Sequence, residues 1–278
     1  MSFMLRKSAD RRAAPARRVA PASILAIASG KGGVGKTFMS VTMASAFAQS
    51  GKRTLLVDGD LGLANVDVQL GIAPETDLAA VVAGWVELDD AVTHVDGGAG
   101  SGGFDVLPGR SGSGALAELP PEEVARLAAG LSALALQYDQ VIVDLGAGIE
   151  ANCMRLARAC DKCLMVITDE PTSMTDAYAF IKVLRGYAPN VEAVVAINQA
   201  DTRAAGQRTY EAIARDCQTL LGFRPSLAGT VLSDPRVREA IRSQKTLIST
   251  DPEAQAVQDA IGIAHALIAE APSQAVGY

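Results

Sequence analysis

The chain has 278 residues, 49% of them apolar but only 4% aromatic, and carries a net charge of −6. This length allows one large domain or two small ones, and an apolar content dominated by Ala, Val, Leu and Ile favours a parallel sheet covered by helices over an aromatic-cored sandwich. The charge argues against binding of nucleic acid over the whole surface, and the lack of any run of 18 apolar residues argues against a membrane-spanning helix.

The first 22 residues differ from the rest of the chain in charge. They contain one acid, Asp10, and six basic residues, for a net charge of +5, so the remainder carries about −11. The basic residues are Arg6, Lys7, Arg11, Arg12, Arg17 and Arg18. Their Ala- and Pro-rich setting predicts a disordered arm over residues 1–22, either solvated or in contact with anionic lipid or nucleic acid. The arm lacks the apolar segment of a signal peptide, and four cysteines in a chain this long do not make a disulfide framework, so a cytoplasmic protein is expected.

Apolar runs alternate with helical patterns from residue 23 onward. Strands are predicted at 23–29, 54–58, 104–107, 140–144, 164–168, 191–198 and 227–231, and helices at 37–50, 121–137, 151–159, 172–186, 202–221 and 253–271. The strands are nearly continuous in apolar character, as in strands buried on both faces. The order predicts an α/β fold, a single doubly wound, mostly parallel sheet with helices on both faces, over residues 23–271. Residues 97–103 are predicted to be a flexible loop and 272–278 a tail.

Residues 30–37 read GKGGVGKT, between the first predicted strand and the first predicted helix. This is the pattern and context of a phosphate-binding loop, in which glycines let backbone N–H groups surround phosphates and the helix N-terminus adds positive potential. Lys36 should reach the β- and γ-phosphates of ATP, and the Thr37 hydroxyl should bind Mg²⁺. The predicted nucleotide-binding residues of this segment are Gly30, Gly32, Gly33, Val34, Gly35, Lys36, Thr37 and Phe38.

Acidic residues end two other predicted strands. Asp144 ends the run VIVD, at the edge where doubly wound sheets place their ligands, and is a candidate for the second Mg²⁺-binding group. Asp58 and Asp60 follow the second strand, two residues apart, so both can face the γ-phosphate. One would then lie near the water shell of the metal and the other would orient the attacking water. The predicted metal-site residues are Thr37, Asp58 and Asp144.

Together these residues resemble the MinD/ParA family of P-loop ATPases. The distinguishing mark is Lys31, the additional lysine of the deviant Walker A motif. Residues 58–68 (DGDLGLANVDV) resemble the switch segment of MinD and of the flagellar-number regulators FlhG/FleN, and residues 168–178 (TDEPTSMTDAY) are most similar to the flagellar branch. The resemblance covers roughly residues 23–250.

The resemblance implies roles for individual residues. Lys31 would cross to the nucleotide of a second copy in an ATP-dependent homodimer, and Lys36 would complete the cationic part of each site. Asp60 would position the lytic water, Asp58 would act through Mg²⁺-bound water, and Asn65 would support the switch segment.

The resemblance also implies a site for the base. Asn198 would meet the adenine, and Asp234 and Pro235 would line its pocket.

Two departures from the family pattern bear on partners. Residues 1–22 have no DQAxxLR-like segment, which in flagellar regulators stimulates a partner GTPase, and the predicted helix 253–271 has acids but no Lys or Arg. Such a helix is a poor ligand for anionic lipid, which argues against membrane recruitment by the usual route.

The function that follows is an ATP-hydrolysing, dimerising switch, slow without a partner, that regulates flagellar number or placement. A flagellar GTPase, a regulator or a polar or basal-body component is the expected protein partner. The protein is expected in the cytoplasm, which includes the periphery of the inner membrane and the cell pole. The alternative is a partition, division-site or cargo-positioning ATPase of ParA/MinD type, although the net charge of about −11 on the residues that follow the arm disfavours DNA binding.

The cysteines, the histidines and the tryptophan give weaker indications of function. A metallocluster carrier would use Cys160 and Cys163, but a single CxxC pair is more typical of buried thiols. A metabolic kinase on the same loop remains a further alternative. His94 and His265 are interpreted as structural, and Trp85 as a core residue.

Overall fold

In the computed structural model of the protein, residues 22–96, 103–110 and 116–269 are described, and they form one eight-stranded sheet. The strands are β1 (Ser23–Ser29), β2 (Thr54–Gly59), β3 (Thr93–Val95), β4 (Phe104–Leu107), β5 (Gln140–Ala147), β6 (Lys162–Ile167), β7 (Glu192–Ala200) and β8 (Ser226–Leu232). Their order across the sheet is β3-β4-β2-β5-β1-β6-β7-β8. All neighbouring pairs are parallel except β3 with β4. The predicted doubly wound, mostly parallel fold is confirmed.

Helices cover both faces of the sheet. They are α1 (Lys36–Gln49), α2 (Val66–Leu70), α3 (Leu78–Val82), α4 (Pro121–Ala135), α5 (Ala151–Ala157), α6 (Pro171–Tyr187), α7 (Arg203–Leu221), α8 (Pro235–Arg242), α9 (Leu247–Thr250) and α10 (Gln255–Ala269), with a 3-10 turn at Asp89–Ala91. One apolar core contains buried residues from α3 to α7, and the core on the opposite face contains buried residues from α1, α2 and α8 to α10. This division follows from the alternation of side chains along each buried strand.

The central strands position the site. Strand β5 lies between β1 and β2, and the β2–β5 register places Asp58 directly beside Asp144. Because the strands are parallel, their carboxyl ends meet at one edge of the sheet, where the loop from β1 to α1 also begins.

The C-terminal helix α10 packs its apolar face into the core, with Ala260, Ile263 and Ala264 buried. Among the described residues no helix has both the length and the apolar character needed to cross a bilayer.

Several elements differ from the sequence-based prediction. Strand β3 and the short helices α2, α3, α8 and α9 were not predicted, and the bounds of the predicted elements moved by a few residues. Residues 1–21, 97–102, 111–115 and 270–278 are outside the described residues, so the predicted tail, all but residue 22 of the predicted arm and all but residue 103 of the predicted loop lie there.

The prediction that Trp85 is a core residue is wrong, because its side chain is 76% exposed. Gly84, at φ +72°, reverses the chain after α3. Val86 and Leu88 then pack against the core in place of the indole.

Candidate functional site

The loop between β1 and α1 is closely packed on one side and open on the other. Gly35 has φ +90°, and a Cβ there would overlap the Asn198 side chain. A Cβ at Gly30 would overlap the backbone of α6 at Asp176. At Gly32, in contrast, a Cβ would meet nothing within 4 Å. The glycines therefore let the loop pack tightly against its neighbours while its outer side stays accessible to a ligand.

Two side chains from the end of β7 hold the loop in place. Asn198, 4% exposed, donates from Nδ2 to the Val34 carbonyl at 2.7 Å. Gln199, in the left-handed region at φ 57°, donates from Nε2 to the Gly33 carbonyl at 3.3 Å. The amide group of Asn198, predicted to meet adenine, thus supports the phosphate loop. Gln199 was not predicted, since its unusual backbone conformation has no signal in the sequence.

Lys36 and Asp144 form a buried ion pair at the centre of the site. Lys36 Nζ lies 3.0 Å from Asp144 Oδ1, and both residues are almost fully buried. Thr37 Oγ1 donates to Asp144 Oδ2 at 2.8 Å and Ser40 Oγ donates to Asp144 Oδ1 at 2.8 Å. Burial acts to lower the pKa of Lys36, but the charge and hydrogen bond of Asp144 outweigh it and the pKa is raised. Ser40, one turn after Lys36, is a site residue that sequence reasoning missed.

Asp58 is the second buried carboxylate. It is fully buried and its Oδ2 accepts hydrogen bonds of 2.9 Å from the backbone N–H groups of Asn65 and Val66. Burial, together with the charge of neighbouring Asp144, raises the pKa of Asp58 to about 7, despite these hydrogen bonds. The Thr37 hydroxyl, whose one proton is donated to Asp144, also lies 3.0 Å from the Asn65 amide oxygen. The segment after β2 therefore contacts the end of the phosphate loop through the Asn65 side chain and Thr37.

Asp60 lies beside these groups but is less buried. Its backbone N–H donates to Asp58 Oδ1 at 3.3 Å, and its own Oδ1 accepts from the Leu63 N–H at 2.9 Å. The carboxylate faces Gly146, where a Cβ would lie 3.3 Å from Oδ1. The structure therefore brings Asp58, Asp60 and Asp144 to one edge of the sheet, as their positions at strand ends predict.

Lys31 is separate from this cluster. Its ammonium group forms an ion pair with Glu170 and donates to Thr172 Oγ1 at 3.2 Å, at the start of α6. The Lys31 side chain is 31% exposed and that of Glu170 59%. Within one chain, Lys31 therefore contacts α6, whereas Lys36 contacts Asp144. Spacing in the sequence gives no signal for this pair, whose members are 139 residues apart.

A cleft of about 310 Å³ lies next to the loop, at the carboxyl ends of β7 and β8. Its lining includes Gly33, Gly35, Phe38, Asn198, Gln199, Asp234, Pro235, Val237, Arg238 and Ile241. The three residues predicted to surround the base, Asn198, Asp234 and Pro235, are thus brought together. The Asp234 carboxylate, however, caps α8 through the Arg236 N–H at 3.0 Å and pairs with the Arg236 guanidinium at 2.7 Å, which lowers the pKa of Asp234.

The donor set around Thr37 fits Mg²⁺. The hydroxyl of Thr37 and the carboxylates of Asp58 and Asp144 supply oxygen, which hard divalent cations prefer, and Asn65 adds an amide oxygen nearby. Two carboxylates side by side, for which Lys36 is the one buried counter-charge among the described residues, also provide the negative potential that a cation would neutralise. The open side of the loop offers room for phosphates next to these groups.

The residues set aside in the sequence have ordinary environments. Cys160 and Cys163 are free and buried, and burial raises the pKa of both thiols, which is the reverse of the change that favours thiolate chemistry. His94 pairs through Nδ1 with Asp105 at 2.7 Å, and His265 lies 3.4 Å from Ser50 Oγ.

Comparison with known proteins places the chain. Residues 25–248 match the model of the CobQ/CobB/MinD/ParA nucleotide binding domain. The antiactivator FleN of Pseudomonas aeruginosa is 36% identical over 236 residues, which cover 85% of this chain and 82% of that protein. The flagellum site-determining protein YlxH of Helicobacter pylori is 29% identical, over 82% and 76% of the two chains.

The fold agrees with this match. The crystal structure of the cell division ATPase MinD of Pyrococcus furiosus superposes with a TM-score of 0.75 at 22% identity, over 89% of this chain and 98% of that one. The matched residues contain the phosphate loop, all three clustered carboxylates and the cleft beside the loop up to Ile241. The chain is therefore a member of the CobQ/CobB/MinD/ParA family of nucleotide-binding domains.

Proposed function

We propose that the protein is a Mg²⁺-dependent ATPase that dimerises when it binds ATP and regulates flagellar number or placement. The observation that carries the ATPase assignment is the buried Lys36–Asp144 ion pair, hydrogen-bonded to Thr37, beside an open glycine loop. The flagellar assignment is supported by the similarity to FleN and YlxH, whose names describe an antiactivator and a flagellum site-determining protein.

The chain's own groups divide the work of binding and hydrolysis. The backbone N–H groups of the loop and the Lys36 ammonium would bind the phosphates, and Thr37, Asp58 and Asp144 would hold Mg²⁺, directly or through water. When bound, the metal supplies positive charge to the β- and γ-phosphate oxygens. Asp60, less buried than Asp58 and adjacent to Gly146, would orient a water for attack on the γ-phosphate. The base would lie in the cleft beside Asn198.

Dimerisation is supported by the position of Lys31. This lysine contacts Glu170 and Thr172 on its own chain, away from the Lys36–Asp144 pair. If the surface that carries Lys31 is the interface of an isologous dimer, each Lys31 would exchange its contact with Glu170 for the nucleotide of the neighbouring copy. Hydrolysis would then require two copies and would be slow in the isolated protein, with stimulation by a protein partner.

Size-exclusion chromatography of Asp60→Ala tests the switch. In Mg²⁺ and ATP this variant should remain dimeric, because ATP binds but is not hydrolysed, whereas in ADP it should be monomeric. Asp216→Ala, on an exposed position of α7, is the matched control and should behave as the unmodified protein. A monomeric Asp60→Ala protein in ATP would contradict the assignment.

The cellular role needs a separate experiment. A deletion strain should show an altered number or position of flagella, with the protein at the cytoplasmic membrane face or the pole, through a flagellar GTPase, a regulator or a basal-body component. Normal flagellation combined with misplaced division or cargo would favour the partition or division-site alternative. ATP-dependent DNA binding that weakens with salt would point to the same alternative.

A further inference from the structure

Trp85 is the most exposed large apolar side chain among the described residues, at 76%. It is also the single tryptophan of the chain. Its position is fixed by a hydrogen-bonded turn after α3, in which the Trp85 N–H donates to the Ala80 carbonyl at 3.0 Å and the Gly84 N–H to the Val81 carbonyl at 2.9 Å. An ordered backbone thus presents a bare indole to the surface. Tryptophan in such a setting is the residue type most enriched at the energetic centres of interfaces.

The segment of the chain that contains Trp85 is strongly acidic in sequence. No Lys or Arg occurs between Arg53 and Arg110, a stretch that contains ten acids. Glu87, Asp89 and Asp90, which follow Trp85 within five residues, are exposed. Within the described residues none of these three forms an ion pair with Lys or Arg, although Asp89 accepts a hydrogen bond from Gln137 at 3.3 Å. We call Trp85, Glu87, Asp89 and Asp90 the tryptophan surface.

The charge of this surface selects its occupant. A second copy would bring another set of acids against the same acids, which is unfavourable. A basic ligand is complementary, and an arginine can stack on the indole face while neighbouring cations pair with the acids. The basic segment of this chain is the N-terminal arm, with six Lys or Arg residues and one acid.

The arm joins the folded part at the end of the sheet that lies near the tryptophan surface. Ser23, at the start of β1, lies beside Gln140 at the start of β5, and its carbonyl accepts from Gln140 Nε2 at 2.9 Å. Gln140 is only three residues from Gln137, which contacts Asp89 of the tryptophan surface. An extended segment of 21 residues can span up to about 70 Å, far more than this separation requires.

We propose that the basic arm, residues 1–21, docks in cis on the tryptophan surface through its arginines. Because the arm is tethered, weak contacts suffice, since the effective concentration of a short tethered ligand is about millimolar. The docked state depends on charge and is therefore weakened by salt. This inference is independent of the proposed function, because the phosphate loop and the carboxylate cluster take no part in it.

Fluorescence of Trp85 tests the proposal in the full-length protein without added label. At low salt, acrylamide should quench the indole weakly, because the arm covers it. Neutralising the arm should raise the quenching constant at least about twofold, and high salt should have the same effect on the unmodified protein. The arm variant is R11S/R12S/R17S/R18S, and its control, with four exposed cations removed from the folded part, is K182S/R208S/R215S/R242S.

The opposite side of the contact provides a second variant. E87K/D90K should raise the quenching constant like the arm variant, whereas D216K/E253K, with the same charge change at exposed positions elsewhere, should not. Equal quenching in all of these proteins at all salt concentrations would overturn the proposal, as would an indole already fully accessible in the unmodified chain. Protection that appears only at high protein concentration would overturn docking in cis and point to the arm of a second copy.

Discussion

Replacing Asp58 by asparagine should stabilise the nucleotide-free protein at alkaline pH. Asp58 is fully buried next to Asp144, and both effects raise its pKa to about 7 from its ordinary 3.8. Asparagine keeps an oxygen that can accept from the Asn65 and Val66 N–H groups, but it carries no charge. The variant therefore removes the unfavourable ionisation while it keeps most of the local hydrogen bonds.

The size of the effect follows from the two pKa values. Because the folded protein retains the Asp58 proton to higher pH than the unfolded chain, this stabilising contribution is complete below pH 3.8 and is lost as the pH rises through about 7. With about 1.4 kcal/mol for each tenfold change in the dissociation constant, ionisation of Asp58 costs the folded state about 4 kcal/mol in full. Between about pH 5 and about pH 8 the loss is roughly 2.5 kcal/mol.

Urea unfolding with a chelator present, at several pH values between about 5 and 8, measures this difference. The free energy of unfolding of Asp58→Asn, relative to the unmodified protein, should increase steadily with pH. Asp216→Asn, an exposed acid on α7, should give a difference that does not change with pH. If the difference for Asp58→Asn were equally flat, the carboxylate would be ionised normally in the folded state and the electrostatic description of the site would be incorrect.

Two further substitutions separate loop structure from chemistry. Gly35→Ala should destabilise the protein by about 1–3 kcal/mol and weaken nucleotide binding, because alanine would be strained at φ +90° and its methyl group would overlap Asn198. Gly51→Ala is also strained, at φ +77°, but its methyl group meets no neighbour, so nucleotide binding should be unchanged. Equal nucleotide affinity for both variants in calorimetry would contradict this prediction. Lys31→Ala should bind ATP normally but lose the hydrolysis that depends on dimerisation, while the control Lys182→Ala should keep both ATP binding and hydrolysis. A rate of phosphate release by Lys31→Ala equal to that of the unmodified protein would refute the action of Lys31 on the nucleotide of the second copy.

The sequence predicts the sheet well because most of its strands are buried on both faces. Continuous apolar runs such as those of β1 and β5 have few alternative structures, and turn residues bound them. Strand β3 has only three residues and exists because it pairs with β4 at the edge of the sheet. Helices α2 and α9, of five and four residues, are too short for periodicity to reveal and depend on packing against the rest of the fold.

The candidate site divides in the same way. Asp144 and Asp58 are predictable, since each ends an apolar run and a parallel sheet brings the carboxyl ends of such runs to one edge. The contacts of Ser40 and Gln199 depend on a helical turn and on a left-handed backbone conformation, which no spacing rule specifies. The exposure of Trp85 was likewise missed, because the turn at Gly84 decides which neighbouring side chain points into the core.

Isothermal titration calorimetry with ATP and Mg²⁺ tests the central claim, that the loop and its two buried charges form a nucleotide site. The unmodified protein should bind one nucleotide per chain, and Lys36→Ala, shown by circular dichroism to be folded, should bind none, because the buried Asp144 then repels the phosphates without its counter-charge. Absence of binding heat for the unmodified protein, or unchanged affinity in Lys36→Ala, would contradict the claim.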